Sequence, residues 1–455
     1  MPEQSEMSEE THCFPNVVCS EADRQNRYSR IDGLCNNLAH PTVGAIGSDF
    51  SHLVEKWDLK PDENLIFKSP DGVELPNARL VSQVIHGQES EDFKAENMSL
   101  LVMQFGQFLD HDITLTAEAE MCHKCGAEPI RCCDYYLEQK NYTRNQMPQN
   151  CWPIPVPDSD PIFGQGAGPA CLEFKRSQRT ACRSARHGGV PSTEVFNEVT
   201  HYIDASNIYG SSKNELNDLR FGIHGVLKGQ GQPFLLPDSE GEMCLEPSPK
   251  SFIAGDLRVN ENPGLVGKKI KSSVLFSITH LLVFSGMHTL FAREHNRLAS
   301  QMKALAIHKT DESIMLEARR YMIGQMQNIV YKEFLAEVLP EETYTKYSLD
   351  TTTQNSYYDA NISSHISVEF STAAFRFGHT LVASLMKIYR DLEEKEFVTE
   401  ALDAHFFNTS LIRRGEEQLV LLFHSLARQR AHQIDPAITD AIRNKLFRYV
   451  NALSF

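Results

Sequence analysis

The sequence predicts a mainly α-helical fold with a loop-rich, disulfide-stapled N-terminal part and little β structure, and three observations carry that expectation. All eleven cysteines fall between Cys13 and Cys244, leaving the last 211 residues (455 − 244) without one. Turn-formers crowd the first half, in "DGLCNN", "HPTVG", "SPDGVELP" and the Cys/Pro/Gly-rich run from Cys122 to Pro191. From Ser192 onward apolar residues recur mostly at helical spacing.

Taken in order, residues 1–18 read as an acidic, polar tail: "MPEQSEMSEETHCF" has no apolar core and is no signal peptide as it stands. Irregular chain with short elements follows to about residue 95. A buried helix is expected from about Ser99 to Leu109, where "SLLVMQFGQFL" is apolar on most faces. Beyond the cysteine-rich stretch, helices are expected over "STEVFNEVTHYI" (192–203), "MHTLFAREHNRLASQMKALA" (287–306), "DESIMLEARRYMIGQMQNIVYKEFLAEVL" (311–339), "EFSTAAFRFGHTLVASLMKIY" (369–389) and "AITDAIRNKLF" (437–447). There is no internal repeat, and the longest apolar run, Val274 to Phe284, is far too short to span a membrane.

A net charge of −16 with no basic block argues against nucleic acid or an anionic membrane as partner. With 41% apolar and 23% charged residues, the chain has the composition of a folded protein. The cysteine usage and the sequons at Asn97, Asn141, Asn361 and Asn408 fit a secreted protein. Eleven is odd, so at least one thiol is left over or its partner is missing.

Four stretches could carry chemistry. In "QFGQFLDHD", Asp110, His111 and Asp112 close an apolar helix whose other polar members, Gln104 and Gln107, are neutral; alone this is a decorated helix end, but a titratable group there usually has a task. In "THYIDASNIYG", Thr200, Tyr202, Asp204 and Ser206 recur at every second position, so in an extended loop they could converge on one hard cation; a polar turn is the plainer reading. "AGDLRVNENPGL" holds Arg258 and Glu261, by itself a solvated pair before a turn. "FRFGHTL" places Arg376 and His379 among apolar and small residues, where a lone histidine is more often a satisfied core residue than a ligand. "CHKC" at Cys122–Cys125 has the look of a zinc cluster, but the nearby cysteines make disulfides the better use.

These stretches, in this order, resemble the animal haem peroxidases, the myeloperoxidase, peroxidasin and peroxinectin group, and "RYSRIDGLCNNLAHPTVGA" and "MHTLFAREHNRLA" resemble the family's sequences as well. The likeness covers about residues 19–447 and implies a single, large helical haem-peroxidase domain. It implies His111 as the distal histidine, Arg258 as the distal arginine and Gln107 as the distal glutamine. His379 would be the proximal ligand of the haem iron, with Arg376 near a propionate, and Asp110 and Glu261 would form ester links to haem b. Asp112, Thr200, Tyr202 through its carbonyl, Asp204 and Ser206 would bind calcium. Asn262 stands where the myeloperoxidase branch has the methionine of a sulfonium link, so that bond is not expected. The implied activity is reduction of hydrogen peroxide with oxidation of halide, thiocyanate or phenolic donors such as tyrosine. The implied setting is secreted: a response to oxidative stress, defence, or cross-linking of extracellular matrix proteins.

Two departures accompany the resemblance. Family members run "ENPGL", two residues, then "MHTLF"; here residues 268–286 intervene, and a Gly267 codon ending one exon and a Met287 codon opening the next would make them a translated intron. After "AITDAIRNKLF" the family continues into a segment with an asparagine that bonds the proximal histidine, whereas residues 448–455 form a tail unlike it. The alternative to an enzyme is therefore an incomplete, catalytically impaired member acting as a matrix or adhesion module. The related cyclooxygenase-type dioxygenases are disfavoured, because they lack the ester-forming carboxylates and the calcium loop.

Overall fold

The computed structural model describes residues 17–53, 73, 75–86, 94–116, 132–138, 151–166, 168–177, 195–229, 283–305, 310–351, 358–405 and 416–446. Helix dominates, and four long helices organise the core: α1 (Leu100–Ile113), α2 (Val283–Ala304), α3 (Asp311–Ile329) and α4 (Glu416–Arg428). Among the described residues, sheet is confined to three antiparallel pairs of short strands. No helix there is long and apolar enough to cross a membrane.

A helix apolar on most faces has to be enclosed on most sides, and α1 is. Phe108, fully buried, stacks on Phe291 of α2 with ring centres 4.9 Å apart and meets the edge of His288 at the same distance. Burying one such side chain contributes about 1.5–3 kcal/mol. The helix starts from an extended Ser99 and ends where Thr114 turns extended, the Thr114 N–H still donating to the Asp110 carbonyl at 2.9 Å. Strand β1 (Lys94–Ser99) leads into α1 and pairs with β6 (Arg430–His432), so the chain entering α1 is tied to the chain leaving α4.

Helix α3 opens with a capping box of Thr310 and Ser313, with Asp311 and Glu312 in its first turn, both favourable at a helix N-terminus. Ile314, Met315, Ala318, Met322 and Met326 make its buried stripe. One π turn, Val330–Phe334, then interrupts the α pattern and buries Phe334 against Phe105 at 5.6 Å. Gly106 of α1 lies beneath that ring: a Cβ there would sit 3.1 Å from the ring edge, so a larger residue would push Phe334 away.

The front half is loop-rich, as expected, with short helices at Glu21–Gln25, Ala78–Ile85 and Cys132–Glu138. Disulfides join Cys19–Cys35, Cys132–Cys151 and Cys133–Cys171. The adjacent cysteines thus fasten one short helix to both arms of the antiparallel pair formed by Ile154–Pro155 and Cys171–Leu172. Cys13, Cys122, Cys125, Cys182 and Cys244 lie outside the described residues.

Three local expectations change. Helix α1 runs on through Ile113, so Asp110, His111 and Asp112 lie inside its last turn instead of beyond its end. The stretch 192–203 is not helical where it is described: Phe196 and Asn197 make isolated bridges to Asp49 and Thr116. The stretch 369–389 is not one helix. It divides into a helical turn, Val368–Thr372, a 3-10 turn, Ala374–His379, and strand β4 (Leu385–Tyr389), paired with β5 (Phe397–Ala401). Ala373 leaves the helical region at φ −130°, ψ −66°. Exposed Leu385 and Lys387 then alternate with buried Met386 and Ile388, the period of a strand with one covered face.

Candidate functional site

Two elements far apart in sequence face each other across one cleft. Helix α1 supplies Gln107, Asp110 and His111, three or four residues apart and so on one side of the helix. The 3-10 turn supplies Arg376 and His379. Val102, Met103, Phe375, Phe377, Leu381 and Val382 line the rest, and the cleft encloses about 550 Å³, counting the space at its open mouth. The walls are apolar, with imidazoles from both elements, a suitable setting for a flat apolar cofactor that needs an axial nitrogen.

The polar groups of the cleft are held individually. Asp110 is buried, and its carboxylate accepts hydrogen bonds from the Thr114 hydroxyl at 2.8 Å and from Arg376 Nη1 at 2.9 Å. Removal from water, helped by the nearby Arg376 charge and opposed by Asp110, pushes the His379 imidazole down to about 4, so it is neutral near pH 7. Gln104, fully buried one turn before Gln107, donates through Nε2 to the Gln107 carbonyl oxygen at 3.2 Å. His111 is buried as well. Arg258 and Glu261 lie outside the described residues.

Beside the cleft, Asp112 points away from it into a second polar site. Its carboxylate accepts from Ser206 N at 2.6 Å and Ala205 N at 3.2 Å, and the Ser206 hydroxyl lies 2.6 Å from the Asp112 carbonyl oxygen. Ala205 takes the left-handed conformation, φ 61°, which turns both N–H groups toward Asp112. Asp204 and Thr200 are buried too; among the described residues no hydrogen bond of good geometry reaches the Asp204 carboxylate oxygens or leaves the Thr200 hydroxyl, while the Thr200 hydroxyl and Ser206 N–H lie near enough to Asp204 to favour its charged form. Tyr202 turns its hydroxyl outward to the Val43 carbonyl at 2.7 Å. Burial, then the neighbouring Asp204 charge, raises Asp112 to about 8; burial raises Asp204 to about 6 against the pull of Arg319. Two buried carboxylates, that of Asp204 poorly satisfied, with the Thr200 and Ser206 hydroxyls beside them, are the kind of oxygen donor set a hard cation takes.

Several residues that hold these sites carried no signal in the sequence. The Asn197 side chain accepts from Leu115 N at 2.7 Å and donates to the Ile113 carbonyl at 2.9 Å, tying down the end of α1. Asn207 donates to the Phe108 carbonyl at 2.8 Å. His295, buried in α2, lies 2.8 Å from the Tyr209 hydroxyl and 2.9 Å from the Gly225 carbonyl. A carbonyl only accepts, so Nε2 carries the proton and Tyr209 donates to Nδ1. A polar side chain within an otherwise apolar helical stripe was the one available hint, and it names no partner.

Comparison with known proteins bears on the chain as a whole. The family model described as "Animal haem peroxidase" matches residues 28–270 and 278–454. A peroxidasin homologue of Caenorhabditis elegans is 30% identical, aligned over 96% of this chain and 32% of its own length. The human peroxidasin homologue is 32% identical over 81% of this chain and 24% of its own length. The chorion peroxidase of Aedes aegypti is 28% identical over 96% of this chain and 52% of its own. The chain therefore spans about a quarter to a half of these relatives. Among solved structures, peroxidase A of Dictyostelium discoideum superposes with a TM-score of 0.68 at 23% identity, covering 93% of this chain and 72% of that one. The Oryza sativa fatty acid alpha-dioxygenase superposes at 0.64 with 16% identity, covering 96% and 65%, so the fold itself extends across more than one chemistry.

Proposed function

Because the chain belongs to the animal haem peroxidase family, we propose that it binds haem b in the cleft between α1 and the 3-10 turn and reduces hydrogen peroxide there. The observation that carries this is the meeting of Gln107, Asp110 and His111 with Arg376 and His379 around one apolar cleft. Haem would supply the redox-active iron that cleaves the O–O bond and then draws electrons from a donor.

The protein's own groups do the rest. His111 moves a proton from one peroxide oxygen to the other, since an imidazole can both take up a proton and give it back. Gln107 orients the peroxide beside it. His379, neutral, would hold the haem iron through a ring nitrogen. Asp110, held by Thr114 and Arg376, would be one ester-forming carboxylate and Glu261 the second, with Arg258 as the cation that stabilises charge on the departing oxygen. Arg376 would pair with a haem propionate.

Calcium is proposed for the second site, held by Asp112, Asp204, Thr200, Ser206 and the Tyr202 carbonyl. The poorly satisfied oxygens of Asp204 and Thr200 support this reading. Bound there, the ion would lock the end of α1 and with it His111. Donors are halide, thiocyanate and phenols, including tyrosines of matrix proteins. Secretion is supported by three disulfides and by the exposed sequon residues Asn97 and Asn361.

The test is reconstitution of the full chain with haem and calcium. A Soret band and peroxide-dependent oxidation of a phenol are expected. His111→Ala should keep the band and lose activity by about 10²–10⁴-fold. A folded protein without a Soret band, or a His111→Ala variant as active as the parent, would sink the proposal.

A further inference from the structure

Arg319 lies in the middle of α3, 3% exposed, among Ile314, Met315, Ala318 and Met322. A guanidinium keeps its charge at any accessible pH, so its place in the core calls for partners. Among the described residues it makes one hydrogen bond, from Nη1 to the Ser29 carbonyl at 2.7 Å, and its guanidinium carbon lies 5.8 Å from the Tyr209 ring centre. Its Nε and Nη2 make no hydrogen bond. Nη2 stops 3.8 Å from Asp204 Oδ2, beyond hydrogen-bonding reach.

That gap is informative because neither side closes it. A buried cation and a buried carboxylate would ordinarily close into a hydrogen-bonded pair. Here Nε and Nη2 of Arg319 stay unpaired and Asp204 takes no hydrogen bond from the guanidinium, at a separation that still carries Coulomb attraction. The carboxylate is kept available while its charge is partly balanced.

We infer that Arg319 is a fixed counter-charge of the Asp112–Ser206 site, setting its cation affinity and its selectivity by ion charge. The inference rests on the proposed calcium reading of that site. In the cation-free protein Arg319 offsets the two crowded carboxylates. With an ion bound it repels that ion, and the repulsion grows in proportion to the ion's charge, half again as large for a trivalent ion as for a divalent one. A cation built into the wall therefore weakens binding, but weakens trivalent ions most.

The competing role is purely structural: Arg319 fastens α3 to the Ser29 segment. Full-length Arg319→Met and Arg319→Lys, with the parent, are titrated with Ca²⁺ and with Tb³⁺. The pH is held above the range in which the carboxylates take up protons, and each protein is melted in calcium and in chelator. Arg319→Met should bind Ca²⁺ about tenfold tighter and Tb³⁺ tighter by a larger factor. It should also show a larger gap between its two melting temperatures than the parent. Arg319→Lys, which keeps the charge without the fork, should stay within about threefold of the parent for both ions. If Arg319→Met does not fold without the ion, its affinity is read from the loaded side by chelator competition. A folded Arg319→Met that binds either ion no tighter than the parent overturns the inference. A folded parent that binds neither ion overturns the calcium reading, and this inference with it.

Discussion

Lowering the pH through neutrality should drive calcium out of the proposed site, and the size of the effect follows from two carboxylates. Asp112 is raised to about 8 by burial and by Asp204, and Asp204 is raised to about 6 by burial. The two share one site, so both are raised and the cation-free site holds protons where ordinary carboxylates have lost them. An ion that needs both carboxylates ionised must expel those protons. Its dissociation constant should then rise as pH falls through neutrality, by about tenfold per pH unit, about 1.4 kcal/mol, for each proton expelled. The sign for stability is the reverse. The folded, cation-free protein binds more protons here than the unfolded chain, so this contribution is fully present below about pH 4 and is lost as pH rises toward 8. Calorimetric titration of metal-stripped protein with calcium, in two buffers of different ionisation heat at pH 7, reads the proton count directly. A release close to zero, or an affinity that does not move between pH 6 and 8, would refute the reasoning.

Two smaller perturbations probe the supports of the sites. Tyr209→Phe removes the donor to His295 Nδ1 and leaves a buried acceptor unsatisfied, so chemical denaturation should show a loss of about 1–3 kcal/mol. Gln104→Met keeps the volume but frees the Gln107 amide to rotate. Stability should change by less than about 1.5 kcal/mol, while kcat/KM for peroxide falls by about tenfold as the amide loses its orientation, with the Soret band unmoved.

The chemistry of this protein was more legible in its sequence than its local structure. Asp110, His111 and Asp112 stood out because titratable residues are costly at the end of a greasy helix, and the structure puts all three in buried positions. Helices α2 and α3 were readable from long, unbroken apolar periodicity and, for α3, from a capping threonine. The segment carrying Arg376 and His379 was misread as one helix because Leu385 to Ile388 alternates over too few residues to stand out beside a helical pattern. The stretch 192–203 failed for a tertiary reason: Asn197 spends its side chain on the end of α1, a use that spacing cannot reveal. The use of Arg319 was hidden for the same cause, since its partner Asp204 comes from another element.

The bond between Asp110 and Arg376 spans 266 residues of chain. A ribosome adding roughly 5–20 residues per second needs about 13 to 53 s to make that stretch. Through all of that time the N-terminal wall of the cleft exists without the opposite one, and nothing can offer an axial imidazole from His379. A cofactor held between Asp110 and His379 must therefore arrive after His379 has been made, when the chain before it has already had time to fold.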